Sequence, residues 1–279
     1  MDTPPSCHNG DVESTFRGAV DADLTFIALP TDGSAPFITE GPQEGHNETK
    51  THTVRVEDIR GQEQLYSLDT DAFLAIQDVA SKSNYETFDS EDEIRRVYYP
   101  EVEALLLENI EGARRVEILG HGVRRESAQN HRQPILFVHC DHTEEVAARF
   151  AGEYADSEKA AELLGGRWRI INVWRPLNGT VRTTPMTFAS ANSLSVDDLF
   201  SVEMRYPDHQ DWFSGIRYNS TQRWFYWSGM GNSERLILKC SDNALDIGKQ
   251  AFHSAFVDRR APAGAKQRES IEVRTLVFS

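Results

Sequence analysis

Apolar and polar residues alternate with a period of two over much of the chain after residue 114, the signature of half-buried strands. The pattern predicts strands around Val116 and Ile118 and over 135–139, 169–174, 224–227, 236–238 and 271–277. An earlier alternating stretch, 53–56, runs into Asp58-Ile59-Arg60-Gly61, a turn signal. Helical spacing predicts helices over 71–81, over 91–110 with an interruption at Pro100, and over 143–164, where Gly165 and Gly166 stop the run. A shorter helix is expected from Ser195, whose spacing to Asp198 resembles a capping box.

Irregularly spaced strands with mostly N-terminal helices predict a mainly β fold, a sandwich or barrel buttressed by helices rather than alternating βαβ units. Residues 1–50 read as an N-terminal arm whose apolar patch, 24–29, is able to add an edge strand. Residues 51–279 read as a single domain with a helical buttress over 71–110.

Composition narrows the function. The 279 residues are 39% hydrophobic, and no run of 18 apolar residues is present to span a bilayer. The formal charge is −15, from 29 basic and 44 acidic residues, with no basic stripe to neutralise phosphates. Nucleic-acid and membrane partners are therefore not expected. An anionic ligand must instead be gripped by a few placed cations in a small pocket. Cys7, Cys140 and Cys240 are odd in number and far apart, so no disulfide framework or zinc ribbon is expected. With no basic and apolar leader at the start, the reading is a cytoplasmic, reducing location, and the sequons at Asn47, Asn178 and Asn219 are chance matches. A homodimer is admitted by this reading but not required.

The chemistry concentrates at His139-Cys140-Asp141. On a strand, positions i and i+2 face the same way, so His139 and Asp141 share a face. They make two-thirds of the two-histidine, one-carboxylate set that holds Fe(II) on one face and leaves positions open. The same spacing occurs at His46/Glu48, His142/Glu144 and His209/Asp211, and such a match is also that of a surface ion pair. Only His139 ends an apolar run. His253, in Ala251-Phe252-His253-Ser254, offers the second histidine, although a core imidazole would look alike. Fifteen residues later, Arg268 and Ser270 share a face. An arginine fork beside a hydroxyl suits the far carboxylate of 2-oxoglutarate, or equally an ion pair with Glu269 and Glu272 on an edge strand.

By alternation Trp168, Ile170, Asn172 and Trp174 share one face, where Asn172 could orient a co-substrate. Trp174 and Arg175, with Trp224 and Tyr226 from the aromatic stretch 206–230, are candidate substrate contacts. That stretch, with Gly215 and Gly229 as hinges, would either cover a site or form a strand pair closing the core.

Over residues 50–279 the chain resembles the fungal and bacterial hydroxylases and desaturases of specialised metabolism typified by gibberellin desaturase and the cephem 7-hydroxylase. The resemblance rests on an ordered series: Asp58-Ile59-Arg60-Gly61, Tyr99-Pro100-Glu101, His139-x-Asp141, Asn172-x-Trp174-Arg175-Pro176-Leu177, Trp224-x-Tyr226 with Met230, Glu234 and Lys239, His253-Ser254-Ala255-Phe256, and 268–274. It implies a double-stranded β-helix (a jelly roll, cupin-like) and a non-haem Fe(II) oxygenase that uses 2-oxoglutarate and dioxygen on a small-molecule substrate. It puts His139, Asp141 and His253 on iron and makes Arg268 the carboxylate clamp. After Pro185 the family pattern leads to an Asp and an Arg, whereas this chain continues Met186-Thr187-Phe188-Ala189-Ser190-Ala191-Asn192-Ser193, a departure on the substrate side. Two other readings share the pocket: a metal-dependent lyase, isomerase or dioxygenase without 2-oxoglutarate, and a non-catalytic ligand-binding jelly roll.

Overall fold

The computed structural model describes residues 16–39, 48–125, 133–155 and 160–279. Cys7, His46 and Asn47 lie outside them. The first half contains β1 (Val20–Ile27), β2 (Phe37–Thr39), β3 (Thr49–Asp58), α1 (Leu68–Asp71), β4 (Phe73–Ile76), α2 (Glu91–Glu93), α3 (Tyr99–Asn109) and β5 (Arg115–Arg124). The second half contains α4 (Glu144–Tyr154), α5 (Ala160–Gly165), β6 (Trp168–Pro176), β7 (Met186–Ala189), β8 (Leu199–Arg205) and β9 (Gln210–Ile216). It closes with β10 (Trp224–Tyr226), β11 (Arg235–Asp242), β12 (His253–Ala255) and β13 (Ser270–Phe278).

Two five-stranded sheets, ordered β1-β3-β10-β7-β12 and β4-β11-β6-β13-β5, pack face to face as a double-stranded β-helix. Side chains from both sheets meet between them, including Val56, Trp224 and Phe252 from one side and Ile170, Cys240 and Leu276 from the other. A smaller sheet, β2-β8-β9, flanks the pair. The apolar patch 24–29 falls largely in β1, an edge strand of the first sheet.

Strand β6 is buried on both faces and shows how the layers are built. Ile171 and Val173 pack with Tyr98, Val102 and Leu106 of the helical layer, whereas Ile170 and Trp174 join clusters between the sheets. Burial of each such apolar side chain is worth about 1.5–3 kcal/mol. The second sheet is thus clamped between helices and the barrel interior.

Several expected elements differ. The helix predicted over 71–81 does not form: the single turn α1 ends at Asp71, where Ala72 adopts the left-handed conformation (φ 64°). Residues 73–76 then pair with β11 as an edge strand, so the helical buttress begins later. Pro100 does not end the run that starts at Glu91: the π-helical segment Ile94–Tyr98 leads directly into α3, with Pro100 in its first turn, and the wider π turn is where the bond its absent N–H cannot make is accommodated. The helix over 143–164 is two, α4 and α5, with the Thr143 hydroxyl capping α4 by accepting from the Val146 N–H (3.3 Å). At Ser195 only one 3-10 turn forms, Val196–Asp198. Residues 135–139 carry isolated bridges rather than a long strand. Gly215 is not a hinge; a β-carbon there would come 2.4 Å from the Phe200 ring, so the residue permits close packing. Among the described residues no helix is long and apolar enough to cross a membrane.

Candidate metal centre

His253 opens β12 at the edge of the first sheet, and His139 meets it through an antiparallel bridge. The His139 N–H donates to the His253 carbonyl (3.1 Å), and the His253 N–H donates back (2.8 Å). Both rings are fixed by main-chain acceptors: Nδ1 of His139 lies 2.9 Å from the Phe137 carbonyl oxygen, and Nδ1 of His253 lies 3.0 Å from that of Ala251. A proton on each Nδ1 leaves each Nε2 as a lone-pair donor, the arrangement that holds a metal-binding imidazole in one tautomer.

Asp141 completes the cluster, with Oδ1 3.6 Å from His139 Nε2. The ligand-capable atoms of His139, Asp141 and His253 all lie within 4.8 Å of one another. Burial, reinforced by His253, brings the His139 pKa down to about 4, so its ring is neutral at neutral pH. Burial works to raise the Asp141 pKa, but the charges of His253, Arg274 and His139 outweigh it and hold the carboxyl well below its usual range. Two imidazole nitrogens and one ionised carboxylate on one buried face are the donor set suited to Fe(II).

These three residues line a cavity of about 520 Å³ that reaches between the sheets. Arg268, Ser270 and Trp174 line it as well. The Arg268 guanidinium is buried, sits 5.3 Å from the Trp174 ring centroid and donates through Nη1 to the Thr184 carbonyl (3.0 Å). Its Nε has no hydrogen-bond partner among the described residues. Burial and the nearby Arg124 charge bring its pKa down to about 9. A buried arginine with donor capacity unspent beside a cavity fits an incoming carboxylate.

Asn172 is placed differently from the expectation. It is fully buried and donates through Nδ2 to Asp141 Oδ2 (2.5 Å), so its amide addresses a carboxylate of the cluster rather than a co-substrate.

Three expected substrate contacts do not line this cavity. Arg175 shares the parity of Ile171 and Val173 and so faces the helical layer, over the rings of Phe88 and Tyr98, where it donates to the Ser81 hydroxyl (3.0 Å). Trp224 is buried in the core between the sheets. The Tyr226 hydroxyl donates to the Gly18 carbonyl (2.6 Å) and accepts from Arg260 (2.9 Å), away from the three ligands.

Other lining residues escaped the sequence reading. Glu272 and Arg274 continue the row begun by Arg268 and Ser270 on β13, and Gly122 pairs with Glu272 across to β5. Extending the same period-two count would have found both side chains. Burial, then the Asp141 charge, raises the Glu272 pKa. His209 and Asp211, passed over because they do not end an apolar run, also reach the cavity from the end of the β8–β9 hairpin, where the His209 ring stacks on Tyr206 at 4.3 Å. No local pattern reveals that placement.

A family model described as "Oxidoreductase/YMDC permease-like domain" matches residues 24–278. The hydroxylase/desaturase poxK of Penicillium oxalicum is 34% identical over 99% of this chain and 94% of its own length. The Fe(II)/2-oxoglutarate-dependent dioxygenase nvfI of Aspergillus novofumigatus is 32% identical over 81% of this chain and 83% of its own. A solved structure of the iron and alpha-ketoglutarate-dependent endoperoxidase NvfI superposes with a TM-score of 0.86 at 28% identity, covering 95% of this chain and 99% of that one. By sequence and by fold, the chain belongs to the family of hydroxylases, desaturases and Fe(II)/2-oxoglutarate-dependent dioxygenases of fungal specialised metabolism.

Proposed function

We propose that the chain is an oxygenase that uses Fe(II), 2-oxoglutarate and dioxygen to hydroxylate or desaturate a small specialised metabolite. The observation that carries this reading is the convergence of His139, Asp141 and His253 within 4.8 Å on the wall of a cavity that also holds Arg268. When bound, iron with its co-substrate and dioxygen supplies an oxidant able to remove hydrogen from an unactivated C–H bond.

The chain's own residues do the positioning. His139, Asp141 and His253 would hold the metal. Arg268, with the Ser270 hydroxyl on the same row, grips the far carboxylate of 2-oxoglutarate through charge-assisted hydrogen bonds. Phe137, Phe213, Trp174 and Met186 give the cavity apolar walls that exclude water and hold the hydrocarbon part of the substrate. Cys140 and Cys240 are buried free thiols, and the reading places the chain in a reducing cytoplasm.

The test is an anaerobic titration of metal-free protein with Fe(II) and then 2-oxoglutarate, following the visible charge-transfer band of the chelate. The band is expected in the wild type, absent in His139→Ala, and shifted to much higher 2-oxoglutarate in Arg268→Ala. Iron binding with no band would overturn the co-substrate assignment, and no uptake of Fe(II) would overturn the metal assignment.

A further inference from the structure

The two oxygens of Asp141 have different partners. Oδ1 lies 3.6 Å from His139 Nε2, toward the cluster, whereas Oδ2 accepts from Asn172 Nδ2 at 2.5 Å. The orientation of the Asn172 amide follows from this contact, since turning it over would set a carbonyl oxygen against a carboxylate oxygen. In the orientation that remains, the amide carbonyl Oδ1 is buried and has no hydrogen-bond partner among the described residues. A side chain kept only for packing has no reason to leave a polar atom unsatisfied in a fully buried row between Ile170 and Trp174, where leucine has nearly the same shape.

We propose that Asn172 is a positioning residue for the metal: its amide ties up one carboxylate oxygen and presents Asp141 to the ion through the other alone. This rests on the iron reading above and goes beyond it by naming what sets the geometry of the carboxylate ligand. One-oxygen ligation keeps the protein's share of the coordination sphere at three atoms, and so leaves room for a two-oxygen chelate and a further ligand. Strand β6 supplies the rigidity, because both of its neighbours, β11 and β13, are paired to it across Asn172. Conformational freedom at this position is minimal.

Co(II), titrated into metal-free wild type, Asn172→Leu and Asn172→Ala, tests the proposal through its visible d–d bands. Both variants are expected to bind Co(II) about 10- to 100-fold more weakly, the usual cost of losing a partner to a metal ligand. Asn172→Leu is also expected to change the band shape, because Asp141 becomes free to ligate through both oxygens, while its metal-free melting curve stays near the wild type. Wild-type affinity and band shape in Asn172→Leu would overturn the proposal. Failure of the wild type itself to bind Co(II) would instead overturn the metal reading. Should both variants fail to fold, the side-chain amide of Asn172 in ¹⁵N-asparagine-labelled wild type decides: slow exchange of the donated proton is expected, and fast exchange would overturn the assignment.

Discussion

His139 and His253, 114 positions apart in the sequence, exchange a reciprocal pair of backbone hydrogen bonds (3.1 and 2.8 Å) that sets their imidazole centroids 4.5 Å apart. The metal-binding geometry is therefore built into the main chain and does not depend on ring–ring contact. Replacing His253 by Ala should leave this bridge intact. The metal-free melting temperature is expected to move by about 2–4 °C, the equivalent of about 1 kcal/mol in a chain of this size. Fe(II) affinity should fall by more than the roughly 100-fold typical of losing an outer partner. Calorimetry for the metal and a melting curve for the fold separate the two effects.

Acid should weaken the metal-free protein over a defined window. His139 titrates at about 4 when folded and near 6.5 when unfolded. Between those values the unfolded chain binds more protons, so stability is lost as pH falls from about 6.5 to about 4 and is flat above it. The full contribution is on the order of 3 kcal/mol. Urea midpoints at pH 7 and pH 5, with chelator present, should differ more in the wild type than in His139→Gln.

Leu106 is fully buried in the helical layer against the outer face of the second sheet. Leu106→Ala should cost about 2–5 kcal/mol of stability by leaving a cavity. Because β6 and β13 separate this layer from the ligands, the folded fraction should still form the Fe(II)–2-oxoglutarate band at wild-type concentrations.

Arg175 lies in the same layer, so its loss should be read as stability rather than as substrate binding. Arg175→Ala removes the hydrogen bond to Ser81 and the stacking on Phe88 and Tyr98, at about 2 kcal/mol. A urea titration checks the loss. An unchanged 2-oxoglutarate titration is expected beside it, and a weakened one would contradict the placement.

Two glycines should respond in opposite directions. A β-carbon at Gly122 meets nothing within 4 Å, so Gly122→Ala is expected to stabilise by about 0.5–1 kcal/mol through reduced freedom of the unfolded chain. At Gly215 the β-carbon would stand 2.4 Å from the Phe200 ring, and Gly215→Ala should cost about 1–3 kcal/mol. Melting temperatures of the two variants give the comparison directly.

Much of this protein was legible before its structure. Period-two alternation outlined β5, β6, β10, β11 and β13, because a strand between two packed layers must sort its side chains by parity. The same rule put His139 and Asp141 on one face and aligned Arg268 with Ser270. Parity also carried information that was left unread, since it separates Arg175 from Trp174 and extends the cavity row to Glu272 and Arg274. Other features had no local signal. Residues 73–76 read as helix until pairing with β11 made them a strand, since an edge strand's preference is set by its partner. Asn172 had to find a partner, but only the packing of β6 against the 139–141 segment decided that the partner is Asp141. His209, polar and loop-like in sequence, faces the cavity because the β8–β9 hairpin folds over it. The sequence by itself determined which residue types alternate and which are able to bind a metal or a carboxylate. Tertiary structure alone decided which of them meet, because backbone bridges and sheet registers join positions that no local periodicity relates.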